Sequence, residues 1–134
     1  MPTQDIQMWK DEGGPDFVVM NGPDEQFISG LAMGATGGTG GIGGIGGTYA
    51  VMPELFQKVY DLYQNGEMKL AAEIQNEICR AIYKLCSAHG NLYAVMKAIL
   101  KKHGMDIGSV RKPMPALIDS DLAVVDEASA IAKY

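Results

Sequence analysis

Eight of the eleven residues from Gly37 to Gly47 are glycine, and the run reads as the triplets GGT-GGI-GGI-GGT from Gly37 to Thr48. Each triplet ends in a β-branched residue. Glycine loses more backbone freedom on folding than any other residue and costs ~1 kcal/mol relative to Ala inside a helix. A regular element through the whole tract is therefore costly, and at least part of it is expected to be loop. The flanking Ala35, Tyr49 and Val51 offer side chains for a second buried strand. The tract is not a phosphate cradle of the Walker type, because G-x-x-x-x-G-K-[ST] is absent and no Lys falls inside it. Gly38 to Gly43 fits G-x-G-x-x-G by spacing, but in so glycine-rich a run the match is nearly automatic. A flexible or tight backbone segment is the expectation.

Around the tract, helical and strand signals alternate. Residues 4–12 read as a helix with Ile6, Met8 and Trp9 on its apolar side, stopped by Gly13-Gly14-Pro15. Phe17-Val18-Val19-Met20 is too short for a helix and does not alternate, so it reads as a strand buried on both faces. Asp24 and Glu25 then open a helix carrying Phe27, Ile28, Leu31 and Ala32, which closes near Gly34. Helix, strand, helix is the rhythm of a parallel α/β protein. After Pro53 the chain reads as almost all helix. One helix runs from Pro53 to Asn65-Gly66, and a long one from about Glu67 to Ala88. Its stripe is Leu70, Ala71, Ile74, Ile78, Ala81, Ile82 and Leu85. A shorter helix runs from Leu92 to Gly104. Met105 to Pro115 is a loop, and Asp119 or Ser120 can cap a last helix through Ala132. Two strands and about six helices result. Two strands alone do not make a stable sheet.

Composition bounds the function. The chain has 134 residues, 47% of them hydrophobic and 20% charged, about one globular domain. Net charge is −5 with the basic residues scattered, which excludes a nucleic-acid footprint. No apolar stretch reaches the length of a membrane span and no signal peptide is visible, so no membrane partner is expected. Cys79 and Cys86 do not make a disulfide framework, and a cytoplasmic location fits them. No cluster has the spacing of a zinc site, and no Ser-His-Asp or Cys-His arrangement is visible. His89 and His103 read as helix-end residues before Gly90 and Gly104, and Tyr60, Tyr63, Tyr83 and Tyr93 as helix packing.

The most informative segment is Asn21-Gly22-Pro23-Asp24-Glu25. Two carboxylates stand directly after a strand, at the end where parallel α/β folds place ligand sites. They can accept hydrogen bonds from sugar or polyol hydroxyls. Favourable charge at a helix N-terminus explains the same pair without any ligand.

DFVVMNGPDEQFISGLAMGATGG, IGGTYAVMPELF, GNLYAVMKAILKKHG and VRKPMPAL resemble the C-terminal half of the N-acetylneuraminate lyase family. That family stands with the dihydrodipicolinate synthases among the Schiff-base aldolases on (β/α)8 barrels. The resemblance covers essentially the whole chain, most specifically at N-G-x-D-E and at the glycine tract before the Pro53 helix. It implies an α/β chain, mostly helical by content: about two strands at the C-terminal end of a TIM barrel plus a helical extension. Residues 1–66 would be the last barrel units, with a glycine-rich insertion at 37–47, and residues 67–134 a three-helix extension. It implies cleavage of sialic acid to pyruvate and N-acetylmannosamine, with no cofactor and no metal, by a homotetramer when full-length. Gly22, Asp24 and Glu25 would bind sugar hydroxyls. Gly47 would line the same site, where many members carry a substrate-facing Ser.

The resemblance also implies absences. The Schiff-base Lys and the acid–base Tyr fall upstream of the position matching Met1, and none of the nine lysines or six tyrosines matches them. The isolated chain is therefore expected to be inactive, and without its barrel partners to be sticky. The family has one G-G-I-G-[SG]-T tract, so two triplets within Thr39 to Ile45 are additional, and Ala50 stands where an Asn is common. The alternatives are another pyruvate-dependent aldolase, such as a dihydrodipicolinate synthase, and a non-catalytic helical interaction module.

Overall fold

A computed structural model of the chain describes residues 3–36 and 43–131. Six α-helices carry this part of the fold: α1 (Thr3–Gly13), α2 (Phe27–Ala32), α3 (Pro53–Gln64), α4 (Met68–Leu85), α5 (Leu92–Lys102) and α6 (Leu122–Ile131). Short 3-10 turns at Asp24–Gln26, Thr48–Ala50 and Asp119–Asp121 lead into α2, α3 and α6. Gly38 to Ile42, most of the G-x-G-x-x-G match and of the extra triplets, lie outside the described residues, as does Ala132.

The helix boundaries follow from local chemistry. Pro53 at the start of α3 needs no N–H there, and Glu54 meets the positive end of the helix. Gly66 (φ +79°) and Gly104 (φ +88°) close α3 and α5 in the left-handed conformation that glycine adopts without strain. In both, two further bonds tie the end. Gly66 N–H reaches Tyr63 O and Glu67 N–H reaches Leu62 O, while Gly104 N–H reaches Lys101 O and Met105 N–H reaches Leu100 O.

One apolar core runs from α2 through α6. Phe27, Leu55, Phe56, Val59, Ile78, Val95 and Ile99 are its most enclosed members, and Val125 and Ala128 seal it from α6. Phe27 meets Tyr49 and Phe56 edge-on, and the Tyr49 and Phe56 rings stack 3.8 Å apart. A second, small cluster of Ile6, Val19 and Ala35, with Met33 against it, holds α1.

The expected strands are corrected. Among the described residues there is no β-strand. Phe17 to Met20 is extended, but only Val19 is buried, while Phe17, Val18 and Met20 are exposed. Of the expected second strand, the described residues 43–47 form no strand and lead into the 3-10 turn at Thr48–Ala50. What remains of a sheet is one parallel bridge between Asn21 and Gly44. In it Asn21 N–H donates to Gly43 O (2.8 Å) and Ile45 N–H to Asn21 O (2.9 Å). The physical reason is the one already noted: two strands, one of them glycine-rich, cannot sustain a ladder without further neighbours.

Candidate functional site

The Asn21–Gly44 bridge sets two loops side by side. One carries Gly22, Asp24 and Glu25, and the other Gly46, Gly47 and Thr48. Together with Ile82 of α4 and Leu92 and Tyr93 of α5 they enclose an open hollow of about 240 Å³. All four residues singled out from the sequence, Gly22, Asp24, Glu25 and Gly47, therefore line one site.

The two adjacent carboxylates are not equivalent. Asp24 is buried, and its Oδ2 accepts hydrogen bonds from both the backbone N–H of Thr48 (2.9 Å) and the Thr48 hydroxyl. It clamps the two loops together. Glu25 is exposed at the hollow's edge. Asp24 is itself held by α4: Gln75 Nε2 donates to its backbone carbonyl (3.2 Å) while Gln75 Oε1 accepts from Ile28 N–H (3.0 Å). Gln75 is buried within the apolar stripe of α4. The stripe was read from its apolar members alone, so this residue was missed. A polar side chain at a core-facing helical position was the available signal. The same stripe included Leu70, which the structure leaves exposed.

Three buried polar atoms around the clamp have no protein partner among the described residues: Asn21 Oδ1, Asp24 Oδ1 and Tyr49 Oη. Gly44 and Gly46 make room for them. A Cβ on Gly46 would stand 1.6 Å from Asp24 Oδ1, and one on Gly44 2.0 Å from Tyr49 Oη. Burial pushes the Tyr49 phenol far above its ordinary pKa, with the Asp24 charge adding to the shift, so Tyr49 is a neutral hydroxyl here.

The far wall comes from α5. A Cβ on Gly47 would lie 3.1 Å from Tyr93 Cε1 and 3.2 Å from the Met96 methyl, so the Tyr93 ring covers the place where residue 47 would carry a side chain. Tyr93 was read as helix packing, but it is half-exposed and lines the hollow. Its backbone N–H is capped by the Asn91 side chain (2.9 Å), and Asn91 N–H donates to Pro115 O (3.0 Å). The turn before it is fixed by Asp121. That carboxylate accepts from the backbone N–H groups of His89 (2.7 Å), Gly90 (3.0 Å) and Ile118 (3.0 Å). Asp119 and Ser120, expected to cap α6, lie with Asp121 in the 3-10 turn before that helix, and the carboxylate that bonds to the α4–α5 turn is that of Asp121. These bonds, led by Ile118, hold its pKa below the ordinary carboxylate range against desolvation.

Among the described residues no lysine lines the hollow. Lys10 donates to the carbonyls of Pro15 and Phe17, Lys97 donates to Ser109 O, and Lys84 pairs with Glu127. Among the described residues no group of three His, Cys, Asp or Glu is placed to hold a metal ion, and no helix is long and apolar enough to cross a membrane. His103 Nε2 meets Ser129 Oγ at 3.3 Å. The Cys86 thiol is raised, by desolvation first and the Glu25 charge second, which is the wrong direction for a nucleophile. The hollow can accept hydroxyl hydrogen bonds and offer an aromatic wall. A larger groove, about 540 Å³, runs along Trp9, Glu12, Phe17, Val18 and Met20, and is an apolar face rather than a convergence of polar groups.

Residues 3–130 match the Dihydrodipicolinate synthetase family. The chain is 51% identical over 130 residues to an N-acetylneuraminate lyase of Mediterraneibacter gnavus, covering 96% of this chain and 39% of that protein. It superposes on the wild-type sialic acid aldolase of Ruminococcus gnavus with a TM-score of 0.92 at 50% identity, covering 98% of this chain and 42% of the other. The N-acetylneuraminate lyase of Fusobacterium nucleatum, complexed with pyruvate, superposes with a TM-score of 0.80 at 26% identity, over 93% of this chain and 40% of that one. The chain spans about two fifths of the length of the relatives it matches, and the match lies in their C-terminal part.

Proposed function

Because the chain belongs to the dihydrodipicolinate synthetase family, we propose that it supplies the C-terminal part of an N-acetylneuraminate lyase, which cleaves sialic acid to pyruvate and N-acetylmannosamine. One observation carries the reading. Two loops, fixed by the Asp24–Thr48 clamp, bring Gly22, Asp24, Glu25 and Gly47 around one hollow, in a chain half identical to such a lyase.

In this reading the division of labour is chemical. A lysine amine from the N-terminal part condenses with the keto carbon of the sugar acid and loses water. The resulting iminium takes up the electron pair released when the C–C bond breaks. This chain holds the other end of the substrate. Glu25 accepts hydroxyl hydrogen bonds from the polyol chain, and Asp24 holds the two loops that shape the hollow. Tyr93 closes the wall above Gly47. Residues 1–66 act as the last barrel units and 67–134 as the extension, within a cytoplasmic homotetramer.

The test joins this chain to the N-terminal part of the M. gnavus lyase and measures pyruvate release from sialic acid. Activity in the joined protein, with none in the isolated chain, is the expected result. Trapping of pyruvate on the isolated chain by borohydride would overturn the assignment of the Schiff-base lysine to the missing part. A folded joined protein that releases no pyruvate would overturn the reading itself.

A further inference from the structure

The Asp121 carboxylate is 97% buried by its surroundings, at 3% relative exposure, yet it lies outside the hollow. It spends its two oxygens on backbone donors from two separate segments, the α4–α5 turn and the residue that leads into α6. A buried carboxylate is costly unless it is satisfied in this way, and three N–H donors satisfy it. The turn it holds is the one from which Tyr93 departs. Gly90, one of its partners, has no room for a side chain: a Cβ there would stand 2.8 Å from the Leu117 side chain and 3.0 Å from Ala116 O. Asn91, the next residue, is pinned by Pro115 O and caps Tyr93. Tyr93 then lies over Gly47. Each step in this chain of contacts is a directional hydrogen bond or a close van der Waals approach, and together they connect Asp121 to the hollow.

We propose that Asp121 is a positioning residue for the substrate site: it fixes the α4–α5 turn and through it the Tyr93 ring that closes the hollow over Gly47. The proposal rests on the reading of the hollow as part of a sialic acid site. It assigns the 3-10 turn before α6 a part in specificity, although among the described residues neither that turn nor α6 lines the hollow.

Two measurements test it. The first uses the 134-residue chain and reads Asp121→Asn and Asp121→Ala by NMR. The expected result is faster amide exchange at His89, Gly90 and Ile118, together with shifted signals for the Tyr93 ring and the Gly47 amide. Val59, in the α3 core, serves as the unmoved reference. Asp121→Asn keeps one accepting oxygen and is expected to move the same signals less, and it covers the case in which Asp121→Ala does not fold. Faster exchange at the three amides with Tyr93 and Gly47 unmoved would overturn the proposal, because Asp121 would then anchor the turn without positioning the wall.

The second measurement uses this chain joined to the N-terminal part of the M. gnavus lyase. Asp121→Ala is expected to raise KM for sialic acid about tenfold and to leave kcat within about twofold, since the wall contributes binding and no chemistry. Equal loss in both constants, or neither, would overturn the proposal. If the unsubstituted joined protein folds but does not cleave sialic acid while the NMR relay is present, the functional reading fails and the structural relay stands.

Discussion

The carboxylate of Asp24 and both donors of Thr48, 24 residues further on, form a two-bond clamp that is buried against α4. It adds two side-chain bonds between the two loops of the candidate site to the two backbone bonds of the Asn21–Gly44 bridge. Thr48→Val keeps the shape and removes one donor, leaving Asp24 Oδ2 with the backbone N–H alone. The expected cost is about 1–3 kcal/mol of stability, read from the urea midpoint of the chain. An unchanged midpoint would mean that the hydroxyl contributes nothing.

Gly46 and Gly22 make an internal comparison. A methyl group on Gly46 would collide with Asp24 Oδ1, whereas nothing stands within 4 Å of a Cβ on Gly22. Gly46→Ala must displace the carboxylate and is expected to lower stability by about 1–3 kcal/mol, with Gly22→Ala within about 0.5 kcal/mol of the parent. Thermal melts of the two variants side by side check this, and equal effects would refute the steric account.

Gln75 is expected to behave as a site residue although it does not line the hollow. Gln75→Leu fills the same core position and leaves Ile28 N–H and Asp24 O without their partner. A loss of about 2 kcal/mol is expected, despite the gain in apolarity. Gln75→Glu, which keeps an acceptor for Ile28 but brings a buried charge near Asp24, is expected to be worse at neutral pH than at low pH. Urea denaturation at both pH values gives the comparison.

Asp121 gives the chain a signature in acid. Its folded pKa lies below its unfolded value, so its contribution is complete above the unfolded value, about 3.9, and is lost as pH falls through the folded one. Asp121→Asn is expected to be less stable than the parent at pH 7 and to lose less as the pH is lowered from about 4 toward 2. Parallel acid limbs would show that the carboxylate is not what holds the turn.

Trp9, Phe17, Val18 and Met20 form an apolar face along an extended segment with few backbone partners. Such a face pairs with other chains. The isolated chain is expected to self-associate with rising concentration, and Val18→Lys to reduce this without lowering helix content. Sedimentation velocity across a concentration series, with circular dichroism, reads both. A parent chain that stays monomeric would remove the case for this face as a pairing surface.

How much of this was legible in the sequence depends on the range of the forces involved. Helices α3, α4 and α5 were visible because their signals are local: Pro53 at a start, Gly66 and Gly104 at ends, and apolar side chains at helical spacing between them. The run Phe17 to Met20 was also visible, but only as a tendency. Whether such a run becomes a strand is decided by the neighbours that pair with it, and those are not encoded in the run. Asp24 and Glu25 stand out in the sequence as adjacent carboxylates after an extended segment, and Gly22 and Gly47 through the family resemblance; the structure sets all four around one hollow. Asp121 and Gln75 were missed because the partners they reach in other elements, 31 to 51 residues away, are backbone atoms, which leave no mark on the side-chain pattern. Tyr93 was visible as an amphipathic position, but its facing toward Gly47 depends on the packing of α5 against a loop.

The two unequal apolar clusters have a consequence for how the chain comes apart. Helix α1 rests on a small cluster of Ile6, Val19 and Ala35 with Met33 against it, whereas α2 to α6 share one large core. Heating should therefore release α1 and the extended segment first, while the remaining helices persist to a higher temperature. A calorimetric trace should show two events, the smaller one earlier, and a protease added between them should cut near Gly14 and leave the large core intact.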